Sequence, residues 1–170
     1  MIIMTDFDTH RVRQLIDGQL AWDELRTEVL PDPKDPNRFE KVRTVLQGRV
    51  PGDDPILVPL NDHLYVVGTD DGRKVKAECG HVLCEFGENW RKHAGIRVRE
   101  SKEEFAELYT EWQSPDPDWT FQLREFFCPE CAQLLAVDSV PRGYPVIQKF
   151  EPDIDTFYEE WLGKPAPDRR

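Results

Sequence analysis

The chain has no long hydrophobic run, no excess of positive charge and none of the short motifs that mark nucleotide or hydrolase chemistry. Its apolar stretches are of the kind Leu134-Leu135-Ala136-Val137, far short of the ~20 residues that span a bilayer. Asp6 and Asp8 follow the start at once with no basic stretch before them, so no secretory signal is expected and the reading is cytoplasmic. Lys plus Arg number 22 against 33 Asp plus Glu, a net charge of −11. Phosphate backbones and anionic lipid surfaces both select for positive charge, so neither nucleic acid nor membrane is an expected partner. There is no G-x-x-x-x-G-K-[ST], no G-x-G-x-x-G, no H-E-x-x-H and no G-x-S-x-G. His10, His63, His81 and His93 fall in separate segments without ligand spacing among themselves. No catalytic and no cofactor-binding residue is therefore singled out.

Proline is what the chain has in excess: 14 of 170 residues, against an average near ~5%. The prolines cluster and cut the chain into short elements. From Asp8 to Gly48 the apolar residues recur at helical spacing. Asp8 is a candidate N-cap for a helix carrying Val12, Leu15 and Ile16, stopped by Gly18. Trp22, Leu25 and Val29 mark a second helix. Asp35-Pro36 reads as a cap followed by the first helical position of a third, with Phe39, Val42, Val45 and Leu46 inward. Stripes this narrow need a surface to lie on, either this chain's own body or another chain.

After Pro51 the period becomes two. Strands are expected at 56–60, 63–68, 73–79, 96–99, 121–127 and 133–137, with a hairpin turn at Thr69-Asp70-Asp71-Gly72. Ser101 and Glu104 form a capping box ahead of a helix with Phe105, Leu108, Tyr109 and Trp112 buried. The tail from Ser139 is proline-punctuated and extended. It closes on a helix started by Asp153, with Ile154, Phe157, Tyr158, Trp161 and Leu162, and stopped by Gly163. Tyr144, Phe150 and this helix's aromatics suit either packing on the chain's own sheet or anchoring on a neighbour. The expected architecture is α+β: residues 1–50 a helical N-terminal arm, 51–138 a small antiparallel β body, and 139–170 a docking tail.

The four cysteines carry the only chemistry. Cys79 and Cys84 form a C-x4-C, Cys128 and Cys131 a C-x2-C, and each pair follows an expected strand. Two close pairs at hairpin tips suit one tetrahedral zinc ion held by four thiolates, a zinc-ribbon-like site. Such a site is closed and would build the fold without doing chemistry. His81, two residues after Cys79, is an alternative ligand. A C-x2-C redox pair is the competing reading, although a helix does not follow Cys131 as it does in thioredoxin-like sites. A free-standing zinc-ribbon adaptor is a further reading, disfavoured by the acidic charge. Asn89-Trp90-Arg91-Lys92-His93, the most basic stretch, reads first as a solvated loop and second as a contact for an anion or acidic partner.

Several separated segments together resemble the gamma subunit family of acetone carboxylase and its ketone carboxylase relatives, acetophenone carboxylase included. They are Pro33-Lys34-Asp35-Pro36-Asn37-Arg38-Phe39, then Glu78-Cys79-Gly80-His81-Val82-Leu83-Cys84 with Asn89-Trp90. Arg124-Glu125-Phe126-Phe127-Cys128-Pro129-Glu130-Cys131 and Tyr144-Pro145-Val146-Ile147 follow. The run Phe150-Glu151-Pro152-Asp153-Ile154 and Phe157 to Gly163 completes the set. The resemblance implies a small zinc-binding subunit of a large hetero-oligomer that carboxylates a ketone with bicarbonate, driven by ATP. It implies that the ATP, any other divalent metal and the chemistry belong to larger hydantoinase-like subunits. The family tends to carry C-x-C-G-H at the first cysteine turn. Here Ala77 stands two before Cys79, leaving four cysteines and an open choice of ketone.

Overall fold

The computed structural model describes residues 8–31, 34–110 and 121–168. Trp112 and the proline turn expected after it lie outside these residues. The first helix, α1 (Thr9–Ile16), is capped by Asp8, whose side chain accepts the Arg11 amide at 2.7 Å. Gly18, at φ 64°, ends it. The second, α2 (Trp22–Glu24), widens into a turn over Leu25–Val29, closed by Leu30 N–H on the Leu25 carbonyl at 2.9 Å. Arg11 reaches across to Glu24 at 2.8 Å and Glu28 at 2.7 Å, joining the two helices. The third, α3 (Arg38–Gln47), starts two residues later than the Asp35-Pro36 signal predicts. Asp35 is buried, and its carboxylate accepts Asn37 N–H and the Lys41 ammonium, both at 2.7 Å, so it fixes the loop before the helix.

Two antiparallel sheets follow. The first runs in sequence order: β1 (Ile56–Asn61), β2 (Leu64–Thr69), β3 (Gly72–Ala77) and β4 (Val82–Glu85). The second orders β5 (Gly95–Arg99), β6 (Phe121–Phe127) and β7 (Leu134–Pro141), leaving β5 at one edge with Ile96 and Val98 exposed. Between β5 and β6, α4 (Lys102–Ala106) carries the expected capping box. It is shorter than its apolar pattern suggests: Phe105 is fully buried, but Leu108 lies beyond the helix and is exposed.

Strand β2 is buried along most of its length because both faces of the sheet are covered. Tyr65 and Val67 pack with Leu46, Val50 and Ile56, backed by Ile16 and Val42 of the arm. Val66 packs with Leu57, Val58, Ile154 and Tyr158 on the other side. Ile154 belongs to α5 (Ile154–Thr156), which is capped by Asp153 and widens through Phe157–Trp161. Leu57 has no ladder partner at the bulge in β1, and its carbonyl accepts the Tyr158 hydroxyl at 2.8 Å. The apolar stripes of the arm and the terminal helix therefore lie on this chain's own body. Phe157 and Tyr158 turn inward, stacking edge-on with Phe39. Phe150 and Trp161 stay exposed, and so does Trp22, which the helical spacing had placed inward.

A third core joins the two sheets. Leu64, Val75, Ala77, Leu83, Cys84 and Trp90 of the first half meet Phe126, Cys128 and Leu135 of the second. Polar ties reinforce it: the Asn61 side chain donates to the Leu135 carbonyl at 2.7 Å and Asn89 to the Val146 carbonyl at 2.9 Å. The expected solvated loop at Asn89–His93 is instead a short 3-10 turn. Its Trp90 is buried and its Arg91 guanidinium lies over the Trp90 ring, 3.4 Å from Asp138.

Candidate metal centre

The third core ends at two hairpin tips, and each presents cysteine. The first tip links β3 to β4. Ala77 N–H bonds the His81 carbonyl at 2.8 Å and Gly80 N–H bonds the Ala77 carbonyl at 2.9 Å, which turns the chain within Glu78 to Gly80. Gly80 has φ 97°, a region that penalises any side chain. A Cβ there would also lie 2.8 Å from the Pro51 ring, so the tip is seated against the end of the N-terminal arm. Glu78 ties the tip to the β1–β2 turn: its amide bonds the His63 carbonyl at 3.0 Å and its carboxylate meets His63 Nδ1 at 2.6 Å.

The second tip links β6 to β7. Cys128 N–H bonds the Gln133 carbonyl and Ala132 N–H bonds the Cys128 carbonyl, both at 2.9 Å. Ala132 takes φ 58°, a left-handed residue that reverses the chain directly after Cys131.

The two tips bring Cys79, Cys128 and Cys131 together, their sulfurs all within 4.8 Å of one another. Cys79 and Cys128 sulfurs are 3.7 Å apart. That is far beyond the ~2.05 Å of a disulfide. It matches the edge of about 3.8 Å that two 2.3 Å zinc–sulfur bonds subtend in a tetrahedron. The donor chemistry fits as well, since three converging thiols form a soft set suited to zinc. Burial, then the neighbouring cysteines, pushes the Cys79 thiol up to about 11, with the His81 amide pulling the other way. The Gln133 amide, then the neighbouring thiols, holds Cys131 below the usual thiol range.

The fourth cysteine of the expected set falls outside this three-thiol group, although it packs in the same core as Cys128. Cys84 is buried in β4, opposite Val75 of β3, and its sulfur is not part of the three-thiol cluster. The C-x4-C spacing places Cys79 at the hairpin tip but Cys84 well into the returning strand. The cluster does not include His81 either. Cys84 instead groups with Glu88 and His93, their donor atoms within 4.8 Å of one another. Spacing among the histidines alone did not single out those two residues. The C-x3-E-x4-H run from Cys84 to His93 is the signal that could have found them.

A family model described as acetone carboxylase gamma subunit matches residues 50–162. The chain belongs to that family. The matched segment begins just after α3 and contains both hairpin tips and α5. The chain is 41% identical over 161 residues to the acetone carboxylase gamma subunit of Xanthobacter autotrophicus (strain ATCC BAA-1158 / Py2), covering 94% of this chain and 95% of that one. It is 28% identical over 81 residues to the acetophenone carboxylase beta subunit of Aromatoleum aromaticum (strain DSM 19018 / LMG 30748 / EbN1). That match covers 46% of this chain and 62% of that one.

Proposed function

We propose that this chain is the small, non-catalytic subunit of a cytoplasmic, ATP-dependent ketone carboxylase of the acetone or acetophenone type. The complex joins a ketone to a carboxyl group from bicarbonate, with nucleotide and substrate handled by larger hydantoinase-like subunits. The observation that carries this reading is 41% identity to an acetone carboxylase gamma subunit along 94% of the chain. The lack of any nucleotide-binding motif agrees with it.

Within that complex, Cys79, Cys128 and Cys131 hold zinc. The ion's contribution is structural: it fastens the β3–β4 tip to the β6–β7 tip, and so one sheet to the other. Its fourth position is open to water or to a donor from a neighbouring subunit. The exposed aromatics Trp22, Phe150 and Trp161 are the anchors for the larger chains. Trp161 also borders a groove of about 800 Å³ between the arm helices and the tail.

Purification from the native host, followed by native mass spectrometry and metal analysis, tests the reading. Co-purification with large subunits and a zinc equivalent that is lost on Cys131→Ser is the expected result. A lone, stable, zinc-free chain would sink it. Retained fold with thiol–disulfide exchange at Cys128 and Cys131 would favour the redox alternative.

A further inference from the structure

The strand that carries Cys84 away from the three-thiol cluster delivers it to a different set of donors. After β4 the chain turns at Gly87, with Glu88 N–H on the Glu85 carbonyl at 3.2 Å. It then enters the 3-10 turn Trp90–Lys92, capped by Asn89, with His93 closing the turn through its amide on the Trp90 carbonyl at 3.0 Å. The Cys84 sulfur, a Glu88 carboxylate oxygen and a His93 ring nitrogen all come within 4.8 Å of one another. Glu88 Oε2 and His93 Nε2 are 3.5 Å apart.

The 3.5 Å between Glu88 and His93 suits one small ion, with the Cys84 sulfur within 4.8 Å of both. Zinc bonds of about 2.3 Å to sulfur and 2.0–2.2 Å to nitrogen and oxygen place neighbouring tetrahedral donors roughly 3.3–3.7 Å apart. A thiolate and a carboxylate neutralise a divalent charge, and imidazole completes a mixed S, O, N set that favours zinc or cobalt over magnesium or calcium. The segment is held in place before any ion arrives. Asn89 bonds the Val146 carbonyl, and buried Trp90 stands edge-on to Phe126. Cys84 approaches from the core, while Glu88 and His93 are half exposed. The ion would be gripped from inside by Cys84 and met from the solvent side by Glu88 and His93.

We infer that Cys84, Glu88 and His93 form a second divalent-metal site, distinct from the three-thiol cluster, that takes zinc and keeps one solvent-facing position. A Glu88–His93 ion pair above an inert core thiol is the competing account, and metal stoichiometry separates the two. The inference is independent of the proposed carboxylase role.

The test uses the full chain in the assembly in which it purifies, with zinc and cobalt as probes. His93→Gln and Glu88→Gln alter half-exposed side chains and leave the cores intact. Zinc per chain is expected to fall by one equivalent in His93→Gln. Glu88→Gln should weaken the same equivalent about tenfold or more. Cys131→Ser should remove a different equivalent, so that combining it with His93→Gln removes both. The cobalt-loaded protein should lose a single-sulfur charge-transfer component in His93→Gln, and the His93 ring signals of the wild type should shift on zinc addition in NMR. Wild-type zinc content and an unchanged cobalt spectrum in His93→Gln would overturn the inference, whatever Cys131→Ser does. So would His93 signals that ignore added zinc.

Discussion

Replacing Gly80 with alanine probes the seat of the first cysteine tip. Two penalties act at this position. Gly80 has φ 97°, and a residue with a Cβ pays about 1–2 kcal/mol in left-handed backbone. The new methyl carbon would also stand 2.8 Å from Pro51 Cγ. The ring is built into the backbone and cannot swing aside, so the tip or the loop after α3 must shift, which typically costs ~1–3 kcal/mol. The sum is about 2–5 kcal/mol, a large part of a stability of roughly 5–15 kcal/mol. Gly143→Ala is the control. Gly143 has φ 76° but nothing within 4 Å of the added carbon, so it meets the backbone penalty alone. Urea unfolding of both variants, with chelator and with zinc, reads the difference directly. Gly80→Ala should be the less stable by about 1–3 kcal/mol. It should also bind zinc more weakly, because Cys79 moves with the tip, whereas Gly143→Ala should bind as the wild type does. Equal stabilities within about 0.5 kcal/mol, together with equal zinc affinities, would refute the reasoning.

Tyr158→Phe removes the hydroxyl that donates to the Leu57 carbonyl, buried at the β1 bulge. It should lower unfolding stability by about 1–3 kcal/mol in denaturant titration. Zinc at a hundredfold excess over its Kd should raise stability by about 2.7 kcal/mol per site, and Cys131→Ser should remove the increment that belongs to the three-thiol site in calorimetry. Hydrogen bonds from Arg99 and then Arg97 hold the Glu107 carboxyl below its usual 4.5, and the Glu100 and Ser101 amides do the same for Glu104. Because the folded values lie below the unfolded ones, this stabilisation is complete above about pH 4.5 and fades as pH falls through the lowered values. A Glu104→Gln/Glu107→Gln variant should flatten the acid limb of a plot of melting temperature against pH.

What could be read in the sequence was what short-range chemistry decides. Asp8, Ser101 with Glu104, and Asp153 all cap helices as their spacing predicts, because a cap involves only the next few residues. The strands around Cys128 and Cys131 were legible for the same reason. The place of Cys84 was not, because it depends on register. Val82–Glu85 continues the ladder with β3, and pairing opposite Val75 sends Cys84 into the core rather than to the tip. Narrow apolar stripes could not say which surface they cover. Only the tertiary structure puts Val42 over Tyr65 and Val67, and Tyr158 over Val66. The Arg73 ties to Asp155 at 2.5 Å and Asp168 at 2.7 Å close over distances along the chain that no local pattern records.

The open rim at β5 bears on how the chain behaves when it is made alone. Ile96 and Val98 sit on an edge strand paired on one side to β6, and among the described residues nothing pairs its other side, where a neighbouring copy could extend the ladder. Arg97 and Arg99 interrupt that run with charge, and both are drawn onto Glu107 and Glu125. Neutralising those arginines would remove the gatekeepers from an otherwise sticky border and favour strand-to-strand association of copies into ordered aggregates.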